Sequence, residues 1–200
     1  MREIELKIKL DNPDKFEKSI KSNSKIIRVD IMKDVYFDFE ILNFKKDDRV
    51  LRLRKQTDLC YIAYKSPRVR SENLIVRDEF ETKILDFDIG YKIITSLGFV
   101  PVEIVEKERK EILNYHFPKL KILIDKLPFI GSYLELEGVE LDILNFSDKF
   151  NINKTHSETR NYTEIFHDFC RLHKIELQNL RTQFTFEDEK LYYKNIRGEL

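Results

Sequence analysis

A chain of 200 residues with 42% hydrophobic content suits one domain with a sizeable core. Its 36 lysines and arginines balance its 36 aspartates and glutamates, which excludes the basic excess of a generic nucleic-acid binder. Charged residues reach 36%, well above the usual quarter, so a place where both signs meet is expected.

The N-terminus lacks the apolar core of a signal peptide, and no apolar stretch approaches bilayer length. A cytoplasmic protein without membrane contact is the expectation. Cys60 and Cys170 form no close pair and read as reduced thiols. The four histidines, His116, His156, His167 and His173, lack zinc spacing.

In chain order, Ile4, Leu6 and Ile8 alternate with Glu3, Glu5, Lys7 and Lys9, as in a strand. Asn12-Pro13-Asp14 supplies an N-cap, an N1 proline and a first-turn acid, with Phe16 and Ile20 following at helical spacing. Val35 to Phe39 reads as a second strand, Asn43 to Asp48 as a polar turn. Val50 to Lys55 and Tyr61 to Lys65 form an expected hairpin, and Val76 to Lys83 a further strand. A helix is expected over Asp86 to Leu97, with Ile89, Ile93, Ile94 and Leu97 on one face and Gly98 ending it. Strands resume at Val102 to Leu113, Leu120 to Asp125 and Ser132 to Glu137. Val139 to Phe150 and Thr159 to His173 read as helices, the second carrying Tyr162, Ile165, Phe166 and Phe169 on one side. Residues 1–175 are expected to form one domain and 176–200 a C-terminal extension, whose Phe184, Phe186, Leu191, Tyr192 and Tyr193 favour docking over disorder. About eight strands with mostly short connections point to an antiparallel α+β fold.

The charged positions of these strands come in pairs two apart: Glu3, Glu5 and Lys7; Arg52 and Arg54; Glu79 and Glu81; Lys107 and Arg109; Glu135 and Glu137. Each pair faces one side of its sheet. A half-buried sheet with a wet outer face laced with ion pairs accounts for that spacing by itself. The other arrangement inverts it: the sheet closes, helices cover an apolar exterior, and the charges line a lumen able to hold one small ligand. An outer-membrane barrel is also polar within, but the absent signal sequence, the interleaved helices and Glu108 argue against it. In a closed lumen, Lys7, Arg52, Arg54, Lys65, Lys107 and Arg109 would suit a multiply charged phosphate chain. Glu3, Glu5, Glu135 and Glu137 would supply hard oxygen ligands for Mg²⁺.

Glu3-Ile4-Glu5-Leu6-Lys7 resembles the ExExK signature of the CYTH, or triphosphate tunnel metalloenzyme, superfamily. The resemblance continues in order through Tyr36-Phe37-Asp38, Leu51-Arg52-Leu53-Arg54, Tyr64-Lys65, Glu79-Phe80-Glu81, Lys107 with Arg109, Asp125, and Gly131 to Glu137. Tyr162-Thr163-Glu164-Ile165 is similar to the C-terminal helix of the class IV adenylyl cyclases. ExExK alone is weakly specific; the ordered set is strong. Ser66 departs from the pattern, since relatives often carry glycine between the lysine and Pro67.

The resemblance implies a closed antiparallel eight-stranded β-barrel, a triphosphate tunnel with helices packed outside, and dependence on Mg²⁺ or Mn²⁺. It implies Glu3, Glu5, Glu135 and Glu137 as metal ligands. Lys7, Arg52, Arg54, Lys65, Lys107 and Arg109 become phosphate binders, Glu5, Lys7 and Asp125 catalytic residues, and Glu79 and Glu81 supports. It also suggests a homodimer. The expected reaction is conversion of ATP to cyclic AMP and pyrophosphate, with Tyr36, Phe37 or Tyr133 available to stack on a base. The alternative is a metal-dependent inorganic or thiamine triphosphatase in the same tunnel. A silent triphosphate sensor is disfavoured, because a pure anion receptor has no need of the carboxylates.

Overall fold

A computed structural model describes residues 2–41, 43–71, 73–175 and 182–197. Their chain begins with β1 (Arg2–Leu10) and α1 (Pro13–Ile20), then β2 (Ser24–Asp38) and the single turn α2 (Asn43–Lys46). The hairpin of β3 (Val50–Gln56) and β4 (Leu59–Lys65) leads to short β5 (Val69–Ser71), β6 (Leu74–Ile84) and α3 (Phe87–Ser96). Next come β7 (Val100–Asn114), β8 (Phe117–Leu127), β9 (Gly131–Glu137), α4 (Glu140–Lys149) and α5 (Tyr162–His173). The C-terminal part adds β10 (Thr182–Phe184) and α6 (Phe186–Arg197).

Eight strands close on themselves in the order β1-β9-β8-β7-β2-β3-β4-β6, because β1 pairs with β9 on one side and β6 on the other. All eight barrel pairings are antiparallel. The short β5 hangs on β6, and β10 runs parallel to β7. The expected closed α+β barrel with external helices is therefore present. No helix among the described residues is long and apolar enough to cross a membrane.

With the sheet closed, the apolar parity of each strand faces outward, where the external helices cover it. Leu6, Ile8, Ile122, Ile124, Leu134 and Leu136 pack outside the barrel against Ile20 of α1 and Ile143 and Phe146 of α4. Phe146 is fully buried, which favours folding by roughly 1.5–3 kcal/mol relative to exposure. A second cluster sets Ile165, Phe166 and Cys170 of α5 with Val105, Leu127, Tyr133 and Phe184. Phe184 stacks on Phe166 at 4.3 Å, so β10 is built into the core. Residues 176–181 and 198–200 of the expected tail lie outside the described residues.

Three local expectations change. The expected second strand begins far earlier, at Ser24. A bulge between Ile26 and Arg28 breaks its alternation, and its outward Val29 and Ile31 stay exposed, so the usual signal of apolar-in and polar-out is lost. The polar turn at Asn43 is a helical turn, because Asp38 accepts from the backbone N–H of Phe44 and Lys45 at 2.9 Å. On α3, Ile94 is buried while Ile89, Ile93 and Leu97 are exposed; Phe87 and Tyr91 pack with Ile94 instead. Gly90 makes that contact close, since a Cβ there would meet Ile84 Cδ1 at 2.6 Å. Gly98 does end the helix, at φ +91.

Candidate active site

The lumen is a cavity of about 360 Å³. Strand parity sends Glu3, Glu5, Lys7, Arg52, Arg54, Lys65, Glu79, Glu81, Lys107, Arg109, Glu135 and Glu137 to its wall. Twelve of the thirteen residues singled out from the sequence therefore meet in one place. Asp125, the thirteenth, lies beneath the wall with no exposed surface.

Asp125 accepts from Lys107 Nζ at 2.6 Å and from Arg109 Nε and Nη2, each at 2.6 Å. Arg109 also holds Glu135. Asp34 plays the same part for Arg54, accepting a bidentate pair at 2.6 and 2.7 Å. Asp34 is itself buried; burial works to raise its carboxyl, but Arg54 holds it far below the usual carboxylate range. Two inward-facing carboxylates, covered by the side chains they hold, thus fix the orientation of three cations on the lumen wall. Tyr162, from the first turn of α5, donates to Glu135 Oε1 at 2.7 Å and lies 3.2 Å from Asp125 Oδ2. Its ring sits 4.9 Å from Lys7 Nζ and 5.4 Å from Lys107 Nζ, within cation–π range of both. Burial, then Glu135 and Asp125, raises its hydroxyl far above the ordinary value, so it remains a donor.

α5 is held in place for this contact. Asn161 caps it through a reciprocal capping box with Glu164. Glu164 also accepts from Arg68 at 3.1 Å, and Arg68 in turn pairs with Asp48 at 2.7 Å.

The carboxylates are less settled. In the β1–β9 register Glu5 lies directly opposite Glu137, and Lys7 opposite Glu135. Burial raises Glu3 to about 7 against the pull of Lys65, and Glu137, Glu79 and Glu5 push the same way. Glu5 is raised too, by burial ahead of the opposing Lys7, with Glu135 and Glu137 adding repulsion. Glu135 is drawn down to about 2, since Arg109, Lys107 and Lys7 overcome its burial. Crowded, buried carboxylates on neighbouring strands fit a hard divalent cation, which would relieve their repulsion. Among the described residues no three of them already converge as a metal cage; Glu3 and Glu137 turn toward Lys65 and Lys121, each at 3.1 Å.

Other wall residues escaped the sequence reading. Arg77 shares parity with Glu79 and Glu81 on β6, a signal that was available. Met32, Gln56, Tyr61 and Leu123 also line the lumen, but as neutral residues they carry no charge pattern. Of the proposed base-stacking rings, Tyr36 reaches the lumen. Phe37 packs edge-on to Tyr91 at 5.4 Å and Tyr133 on Tyr162 at 5.2 Å. The thiols of Cys60 and Cys170 are free and buried. His167 bonds Thr182 Oγ1 at 2.7 Å and His116 bonds Asn23 at 3.1 Å, both in local structural roles.

Comparison with known proteins agrees with this geometry. A Methanocaldococcus jannaschii protein named "Putative adenylate cyclase" is 30% identical over 177 residues, covering 82% of this chain and 98% of its own. The solved structure of the PH1012 protein from Pyrococcus horikoshii superposes with a TM-score of 0.69 at 22% identity, over 81% of this chain and 98% of that one. A Hippeastrum protein, described as a "Putative adenylyl cyclase" with a dominant triphosphatase activity, superposes with a TM-score of 0.66 at 16% identity, over 90% and 98%. The model of the CYTH domain matches residues 1–184, the whole barrel and its ordered charges, and the chain belongs to that family.

Proposed function

We propose that this protein is an adenylyl cyclase of the class IV kind, converting ATP to cyclic AMP and pyrophosphate with Mg²⁺ or Mn²⁺. The observation that carries this reading is that the lumen wall is not wholly ionic. Met32 and Leu123 are buried there beside Tyr61 and Gln56, a neutral stretch that inorganic triphosphate would not use. Gln56 donates its amide N–H to Asp30 Oδ2 at 2.9 Å. Its carbonyl oxygen has no donor among the described residues and is free to accept from the amine of adenine.

ATP would lie with its base on this stretch and its phosphates among the cations. The ribose 3′-hydroxyl oxygen attacks the α-phosphorus, its proton passing to solvent, as the bond from that phosphorus to the pyrophosphate oxygen breaks. Lys7, Arg52, Arg54, Lys65, Lys107 and Arg109 stabilise the charge that gathers on the departing pyrophosphate. Asp125 touches none of the reacting atoms; it is a positioning residue acting through Lys107 and Arg109. Glu3, Glu5, Glu135 and Glu137 would hold the divalent ion, which on binding supplies Lewis-acid charge to the hydroxyl and the phosphates. Little covalent work falls to the protein, and positioning carries the reaction.

The second reading is triphosphate hydrolysis, with water attacking the terminal phosphorus. The activity described for the Hippeastrum protein supports it. Incubation with ATP or inorganic triphosphate and Mg²⁺ or Mn²⁺ separates the two. Cyclic AMP with stoichiometric pyrophosphate is expected; orthophosphate from triphosphate without cyclic AMP would favour hydrolysis. Gln56→Ala is expected to raise KM for ATP roughly tenfold, the worth of one hydrogen bond, and to leave triphosphate binding unchanged. Equal losses on both ligands would remove the base-binding argument.

A further inference from the structure

Among the described residues, almost every lumen cation already has a close carboxylate. Lys7 has Glu5 at 3.4 Å, Arg52 has Glu81 at 2.7 Å, Lys65 has Glu79 at 2.8 Å, and Lys121 has Glu137 at 3.1 Å. Arg28 has Asp30 at 2.5 Å, and Arg54, Lys107 and Arg109 have their buried aspartates. Arg77 is different. Its nearest carboxylate oxygen is Glu3 Oε2, 3.8 Å from Nε, beyond hydrogen-bond reach. The Nε is buried and has no hydrogen-bond partner. The side chain is only 14% exposed, so water is a poor substitute.

Its place in the wall is informative. Lys65 lies opposite Glu79 in the β4–β6 register, and Arg77 lies two residues further along β6, opposite Glu3 of β1. Arg52, Lys65 and Arg77 therefore form a diagonal row across β3, β4 and β6. Arg52 Nε, at the other end of that row, is likewise buried and unpartnered. A buried donor without an acceptor is costly. Two on one row of an anion-accommodating wall are best accounted for by an acceptor that arrives with the ligand.

Resting on the triphosphate reading above, we propose that Arg77 is a further substrate-binding residue, donating its guanidinium fork to non-bridging oxygens of the bound triphosphate beside Lys65. Planar bidentate donation to phosphate is the geometry that arginine supplies and lysine does not.

The test measures binding of inorganic triphosphate by calorimetry, and thermal unfolding without ligand, for the wild type, Arg77→Gln and Arg77→Lys. Arg77→Gln is expected to weaken triphosphate binding by roughly 10- to 100-fold, the range for a charge-assisted hydrogen bond. Its unfolding temperature without ligand should hold or rise, because a buried N–H without an acceptor has been removed. Arg77→Lys keeps the charge but not the fork and should fall between the two. Wild-type affinity in a folded Arg77→Gln protein would overturn the role of Arg77 alone. Failure of the wild type to bind triphosphate would overturn the tunnel reading, and the proposal with it. Equal losses of affinity and unfolding temperature in both variants would assign Arg77 a structural role and reject the proposal.

Discussion

Asp125→Asn is expected to lower the unfolding free energy by about 3–5 kcal/mol, the range for breaking a buried ion pair from one side, and to abolish turnover. Two cations depend on this one carboxylate, and neither has a solvated alternative: the Lys107 and Arg109 side chains are 5% and 12% exposed. Burial and the neighbouring Arg109 already hold the Lys107 ammonium below its ordinary pKa. Without Asp125 that lysine loses its main counter-charge, and Arg109 keeps only Glu135. Urea denaturation measures the effect, with Asp168→Asn as the control. Asp168 pairs with Arg171 at 2.5 Å on the surface, where such a bridge contributes about 0–1 kcal/mol. Adding Lys107→Met to Asp125→Asn should recover part of the stability, because it removes one of the stranded charges. A loss no larger than the control's would mean that Asp125 is not the anchor of this wall.

Glu5→Gln should act in the opposite sense on stability while also ending activity. The proposed metal role places Glu5 among Glu3, Glu135 and Glu137, where burial and like charge work against its ionised form. A carboxylate whose folded pKa lies above its unfolded one destabilises the fold as pH rises past the unfolded value. The neutral amide removes that term, so the unfolding temperature near neutral pH should hold or increase. Turnover should fall by about 100-fold or more, the scale on which one preorganised electrostatic group acts. The wild type should gain thermal stability from Mn²⁺ by mass action, and Glu5→Gln should lose most of that gain. A variant that keeps both turnover and the Mn²⁺ shift would exclude Glu5 as a ligand. Stability and function are opposed at this position, as expected where a site is built from mutually repelling groups.

Much of this was legible in the chain. Period-two alternation is a local property, and it placed Glu3, Glu5 and Lys7, Arg52 and Arg54, and Glu135 and Glu137 on single faces without any knowledge of the fold. The Asn12-Pro13 start of α1 and the Gly98 stop of α3 are equally local, because capping concerns the backbone groups of one turn. What alternation could not say is which face is inside. A wet outer face and a lumen have the same spacing, and only closure of β1 onto β6 separates them.

The neutral wall residues stayed hidden for a related reason. Met32, Gln56 and Tyr61 look like ordinary strand residues until β2, β3 and β4 curve round one cavity. The start of β2 stayed hidden because its bulge interrupts the period. The apolar stripe on α3 was visible, but which part faces the barrel depended on the close approach allowed at Gly90.

By itself, then, the amino-acid order determined the strand faces, the capped helices and an ordered set of charges suited to a triphosphate and a metal. The tertiary structure decided the partners: Asp125 under Lys107 and Arg109, Asp34 under Arg54, Tyr162 on Glu135, and Arg77 with only a distant Glu3 and a buried Nε that has no hydrogen bond among the described residues. Pairing energies in a low-dielectric lumen depend on distances of a few ångströms between residues far apart in the chain, and only a closed barrel sets those distances.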